Sequence, residues 1–151
     1  MIRKTLPIFA AKKTKNAAYR IDDMFFRFWF RFVFRNQEYI ELGRFEELRK
    51  YVDRDFDQFS GYALERYFRW KFIEDTSYTR IDAWWDRKGE NEIDLVCEDE
   101  LKNTLFFYEV KRDEKRIDLE KLKTKTVAFF AKNPELQSRK VAYAGLSLKD
   151  M

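Results

Sequence analysis

Glu109-Val110-Lys111 places an acid and a base two residues apart, at the end of the apolar run Leu105 to Tyr108. Such a run reads as a buried strand, in which residues i and i+2 share a face. Glu109 and Lys111 then share one face, and Tyr108 and Val110 the other. Upstream, Glu92 to Val96 reads as a second apolar strand with Asp94 at its centre. If the two strands pair, Asp94 lies beside Glu109 and Lys111. Two carboxylates roughly 4 Å apart repel by about 4 kcal/mol at an effective dielectric near 20. Either one acid keeps its proton or a cation sits between them.

Oxygen donors without His or Cys favour Mg²⁺ or Mn²⁺. Asp94, Glu109 and the Val110 carbonyl are the candidate metal ligands. A metal held there activates water and stabilises charge building on a phosphodiester, while Lys111 holds the scissile phosphate or the attacking water. Glu65 is the acid best placed on the preceding helix to complete the outer shell. The bland alternative is a structural Glu109–Lys111 ion pair at a sheet edge. With charged residues at 38% of the chain, an acid-x-base triplet arises readily by chance, as Glu47-Leu48-Arg49 shows. The apolar context carries the functional reading, because burying an unpaired acid costs several kcal/mol.

The chain that must position these groups has 151 residues and no histidine. That excludes Ser-His-Asp and Cys-His mechanisms within it, and most zinc sites. Cys97 is its one cysteine, so no intrachain disulfide forms, which suits a reducing compartment. No apolar run reaches the roughly 18 to 20 residues needed to cross a bilayer. Pro7 and the lysines after it argue against a signal peptide, and the cytoplasm is the expected location. Residues 1–35 carry nine Lys/Arg against two Asp, and the rest 22 against 25 acids, so the net +4 is local to the N-terminus.

Ile2 to Ile8 and Ala17 to Ile21 read as a hairpin tipped by Lys12, Lys13 and Lys15, candidate phosphate contacts like the wing of a winged helix. Asp22 and Asp23 are candidate caps for a helix from Met24 to Asn36. That helix is apolar nearly all round, apart from the stripe Arg27, Arg31, Arg35. An element of this kind is buried, here against a missing domain or a second copy. Glu38 to Leu42 stops at Gly43. Phe45 to Val52 reads as a short amphipathic helix, Phe56 and Phe59 as anchors in a polar connection, and Gly61 to Glu74 as a new helix. After the connection Asp75 to Thr79 come three strands, Arg80 to Asp86, Glu92 to Glu98 and Leu105 to Lys111, expected antiparallel. A helix from Asp118 to Lys132, stopped by Asn133-Pro134, and a strand Arg139 to Leu146 complete an α/β fold with a mixed sheet. Lys88, Lys115, Arg116, Lys121, Lys123 and Lys125 are further candidate phosphate contacts.

The series Glu65, Asp94 within Glu-Ile-Asp-Leu-Val, and Glu109-Val-Lys111 resembles the PD-(D/E)XK nuclease superfamily, and the element order is similar to its restriction-endonuclease-like core. The runs Tyr19 to Val33, Trp84 to Gly89 and Glu92 to Val96 resemble the C-terminal region of prokaryotic AAA-type ATPases, where a nuclease-like domain follows a winged helix. The resemblance implies residues 1–58 as the end of the winged-helix wing plus connecting helices, and 59–151 as the nuclease-like domain. It makes Asp94 and Glu109 metal ligands, Lys111 the catalytic lysine, Glu65 the helix acid and DNA the partner. The chain lacks a G-x-x-x-x-G-K-[ST] loop, so no ATP site of that kind is expected. A nuclease fold without cleavage, serving nucleic-acid binding or ATPase assembly, is the second expectation.

Overall fold

A computed structural model describes residues 2–74 and 77–151. The helix-to-strand connection expected at Asp75 to Thr79 therefore falls partly outside the described residues. The chain divides into two compact units. One comprises residues 1–5 and 18–63, the other residues 6–17 and 64–151.

In the first unit β1 (Ile2–Thr5) pairs antiparallel with β2 (Ala18–Ile21). Asp23 caps α1 (Met24–Phe28) by accepting the N–H groups of Phe25 and Phe26. The expected single helix to Asn36 is instead α1, a π turn (Trp29–Val33) and a 3-10 turn (Phe34–Asn36), followed by α2 (Gln37–Glu41). Nor is the segment buried all round. Phe32 is buried against Phe28 and Phe59, with ring centroids at 5.0 and 5.4 Å. Phe25, Phe26, Trp29, Phe30 and Phe34 are exposed in this chain. One contact face is all that a unit of this size offers so many rings. Of the arginine stripe, Arg27 lies 3.6 Å from the Tyr62 ring centroid and Arg31 donates to Gln58.

Gly43, at φ +66°, ends α2 as a left-handed cap, with Arg44 N–H donating to the Tyr39 carbonyl. From there α3 runs unbroken over Phe45–Glu74. The break expected between Val52 and Gly61 does not occur. No proline interrupts this stretch, Gly61 is not left-handed, and Ser60 folds its hydroxyl back onto the Phe56 carbonyl. Helices tolerate such a serine at small cost.

The second unit holds a four-stranded sheet in the order β3 (Arg80–Trp85), β4 (Glu92–Asp99), β5 (Thr104–Val110), β6 (Lys140–Leu146). The first three strands are antiparallel, and β6 joins β5 in parallel. The parallel pair requires the crossover through α4 (Leu119–Lys132). The mixed sheet matches the α/β expectation. Leu64 and Phe68 from the end of α3 pack with Leu95, Cys97, Tyr108 and Val110 in one core. Leu122 and Phe129 of α4 pack with Trp84, Ile93, Val96 and Phe107 in the other. Ile8 belongs to this second core, and its N–H donates to the Ala83 carbonyl at 2.9 Å, on the free edge of β3. The strand expected through Ile8 ends at Thr5 for this reason: residues 6–17 leave the hairpin and dress the large sheet.

Candidate active site

The site sits where the β4–β5 ladder ends, at Leu95 opposite Tyr108, beside a register shift between β3 and β4. Asp82 faces Val96 and Trp84 faces Ile93, so Asp94 and Leu95 together oppose Ala83. This is a bulge, one extra residue in one strand that turns side chains away from simple alternation. Its signature is visible in the packing. Ile93 and Val96 share one core, while Leu95 and Cys97 share the other.

Freed by the bulge, Asp94 substitutes its side chain for a backbone partner. The Val110 N–H donates to Asp94 Oδ2 at 2.8 Å. On the opposite edge of β5 the regular pattern persists, with Lys111 N–H donating to the Leu146 carbonyl at 2.9 Å. Lys111 Nζ donates to the same Asp94 oxygen at 3.2 Å and lies 3.3 Å from Glu109 Oε1. The other Glu109 oxygen, Oε2, accepts the Asp118 N–H at 2.6 Å.

Asp118 is the N-cap of α4, and its own carboxylate accepts the Lys121 N–H. The buried Glu109 carboxylate is therefore held at the positive end of a 14-residue helix, where N–H groups and the helix dipole both favour a negative charge. Burial pushes the Lys111 ammonium down, but Asp94 and Glu109 more than offset it, so its pKa stands above the ordinary lysine value. Lys111 is thus held as a cation beside the two acids.

Three expected residues, Asp94, Glu109 and Lys111, thus meet around the Lys111 ammonium. Glu65 is half-buried on α3. Among the described residues no group of three or more His, Cys, Asp or Glu side chains forms that could hold a metal ion, so Glu65 does not complete one with Asp94 and Glu109. Val110 enters the site through its N–H. Lys12, Lys13 and Lys15 are exposed in the 6–17 loop, Lys88 in the β3–β4 turn, and Lys115 and Lys121 on either side of the α4 N-cap. Lys123 is held by Glu120 at 2.7 Å. The N–H of Asp118 is the site group that sequence reasoning missed. The aspartate is legible as a helix cap, but no local pattern says that its backbone will meet Glu109.

Comparison with known proteins bears on residues 29–127, which match the family DUF234, described as "Archaea bacterial proteins of unknown function". The chain belongs to this family. The match contains Glu65, Asp94, Glu109, Lys111 and Asp118. An uncharacterized protein of Methanocaldococcus jannaschii is 33% identical over 129 residues, 80% of this chain. The chain spans 28% of the length of that family relative. No solved structure matches. No helix among the described residues is long and apolar enough to cross a membrane.

Proposed function

We propose that the second unit is a nuclease-fold domain of the PD-(D/E)XK type that hydrolyses phosphodiester bonds of DNA with a divalent cation, as part of a AAA-type ATPase. The observation that supports this most is the convergence of two carboxylates and one ammonium at a break in the sheet. Bulges are over-represented next to active sites, where they re-aim a side chain.

The donor set suits Mg²⁺ or Mn²⁺, which bind through one or two carboxylates and leave their remaining positions to water and phosphate oxygens. Asp94 and Glu109 would hold it, with the Val110 carbonyl as a third oxygen. When bound, the metal supplies an activated water and stabilises charge on the phosphate. The chain itself does the positioning. Asp118 N–H and Val110 N–H fix one oxygen of each carboxylate. Lys111, kept protonated by both acids, presents positive charge where the phosphodiester oxygens gain negative charge. Hydrolysis adds water across the P–O bond, with hydroxide on phosphorus and the proton on the leaving oxygen.

A second reading, a nuclease fold that binds nucleic acid or assembles the ATPase without cutting, is favoured by one specific feature. Lys111 already bridges the two acids, and no third acid joins them among the described residues. Incubation of supercoiled DNA with purified protein and Mg²⁺ separates the two. Nicking that requires the metal and disappears in Asp94→Asn supports cleavage. Absence of nicking together with chelator-insensitive DNA binding supports the second reading. Equal nicking by wild type and variant sinks the first.

A further inference from the structure

The register shift beside Asp94 has a second acid on its β3 side. Asp82 faces Val96 in the last regular pair before the shift, and Ala83 is the single residue opposite Asp94 and Leu95. We propose that Arg69 and Asp82 are positioning residues for this site: Arg69 on α3 holds Asp82, and Asp82 holds the strand opposite the bulge so that Asp94 meets the Val110 N–H and the Lys111 ammonium. The inference rests on the proposed function only in treating the Asp94 carboxylate as part of a working site. The linkage itself lies within the second unit and does not depend on cleavage.

Three observations carry the proposal. First, Ala83 is fastened at both of its backbone groups. Its N–H donates to Asp82 Oδ1 at 3.0 Å, and its carbonyl accepts the Ile8 N–H at 2.9 Å. A bulge disrupts the local ladder, so a side chain that ties the opposing backbone counts for more here than beside a regular pair. Second, the other Asp82 oxygen is taken by α3. Arg69 Nη2 donates to Asp82 Oδ2 at 3.1 Å. The two side chains are 24% and 34% exposed, so water screens this pair less than a fully exposed one.

Third, Arg69 is placed for Asp82 rather than for its own hydrogen bonding. Its Nε is buried without a hydrogen-bond partner among the described residues, where buried polar groups are normally satisfied. The helix is also a firm base for the contact. Phe68, the residue before Arg69, is buried in the core that contains Leu95, the neighbour of Asp94. Helix α3 thus serves the bulge from both strands, sharing a core with Leu95 on β4 and binding Asp82 on β3.

The test is amide-proton exchange and NMR titration on the full chain, without DNA or metal. The Val110 amide reports on its bond to Asp94, and the Asp118 amide on its bond to Glu109. Arg69→Met should speed exchange at Val110 roughly three- to tenfold, the equivalent of one weakened hydrogen bond, and leave Asp118 near its wild-type rate. Asp94 helps to hold the Lys111 ammonium above its ordinary pKa, so the Lys111 Cε resonance should titrate at lower pH in this variant than in wild type. Arg69→Lys keeps a cation and should restore most of both effects. Asp82→Ala should behave as Arg69→Met does, and it reads the linkage even if Arg69→Met fails to fold. Unchanged Val110 exchange, equal acceleration at Val110 and Asp118, or an Arg69→Lys variant no better than Arg69→Met would overturn the proposal. Nicking is measured separately, so a domain that never cuts leaves this result intact, and a nuclease whose Val110 amide ignores Arg69 refutes the linkage alone.

Discussion

The backbone N–H of Asp118 donates to Glu109 Oε2 at 2.6 Å, joining the cap of α4 to the end of β5. One carboxylate is thereby asked to orient a helix and a lysine together. Glu109→Ala should cost about 2–4 kcal/mol of stability, since it strands a buried N–H and half-unpairs Lys111. Glu109→Gln keeps an acceptor for Asp118 while losing the charge, and should cost about half as much. Chemical denaturation of both variants reads this. A Gln variant as unstable as Ala would show that charge, rather than the hydrogen bond, holds the helix.

Lys111→Met tests the electrostatic role. Removing the ammonium leaves Asp94 and Glu109 facing one another, so the apparent affinity for Mn²⁺, read by paramagnetic resonance, should rise. Any metal-dependent nicking should fall by about 10²- to 10³-fold, as for other losses of transition-state charge stabilisation. Tighter metal binding with undiminished nicking would remove Lys111 from the chemistry.

Gly145 faces Glu109 across the parallel β5–β6 pair. A Cβ there would stand 2.5 Å from Ile117 Cγ2 and 2.7 Å from its Cδ1. Ile117 is β-branched and stiff, and it immediately precedes Asp118. Gly145→Ala should therefore destabilise by about 1–3 kcal/mol through overpacking. It should also loosen the Asp118–Glu109 bond, seen as faster exchange of the Asp118 amide proton. Wild-type stability and exchange would mean that Ile117 yields freely.

The pH dependence has two limbs. Lys111 sits above its unfolded value. Its contribution is complete below the ordinary lysine pKa and is lost as pH rises through the higher folded value, at strongly alkaline pH. Asp99 is held below its ordinary value, first by the Lys102 N–H and then by the Lys102 ammonium. Asp86 is lowered first by the Asn91 side-chain amide, against burial, with backbone N–H groups adding to it. These two contributions are present above the ordinary carboxylate pKa and disappear as pH falls through the lower folded values. Thermal unfolding from acid to alkali should give a plateau falling at both ends. In Asp94→Asn the lysine Cε resonance of residue 111 should titrate at lower pH than in wild type.

Much of the second unit was legible because its signals were local and agreed with one another. Apolar runs bounded by polar turns gave β3 to β5, Asp118 and Asn133-Pro134 bracketed α4, and Asp94, Glu109 and Lys111 stood out as charges inside apolar strands. The misses came where tertiary context decided. The polar stretch around Asp53 to Ser60 reads as a connection by propensity, yet neighbouring turns carry it as helix. Ile8 alternates as a strand residue, yet its partner is Ala83. The bulge at Asp94 leaves no mark in the sequence, because it appears only when the registers of β3 and β4 are compared.

The partnership of Ile8 with Ala83 also bears on the order of events at the ribosome. Ile8 is synthesised before Ala83 and Trp84 and has no edge to join until they follow. At about 5–20 residues per second, the first core residue of the second unit waits several seconds for its berth. For most of that interval the aromatic run from Phe25 to Phe34 has also been synthesised, so its exposed rings coexist with an unfinished second unit.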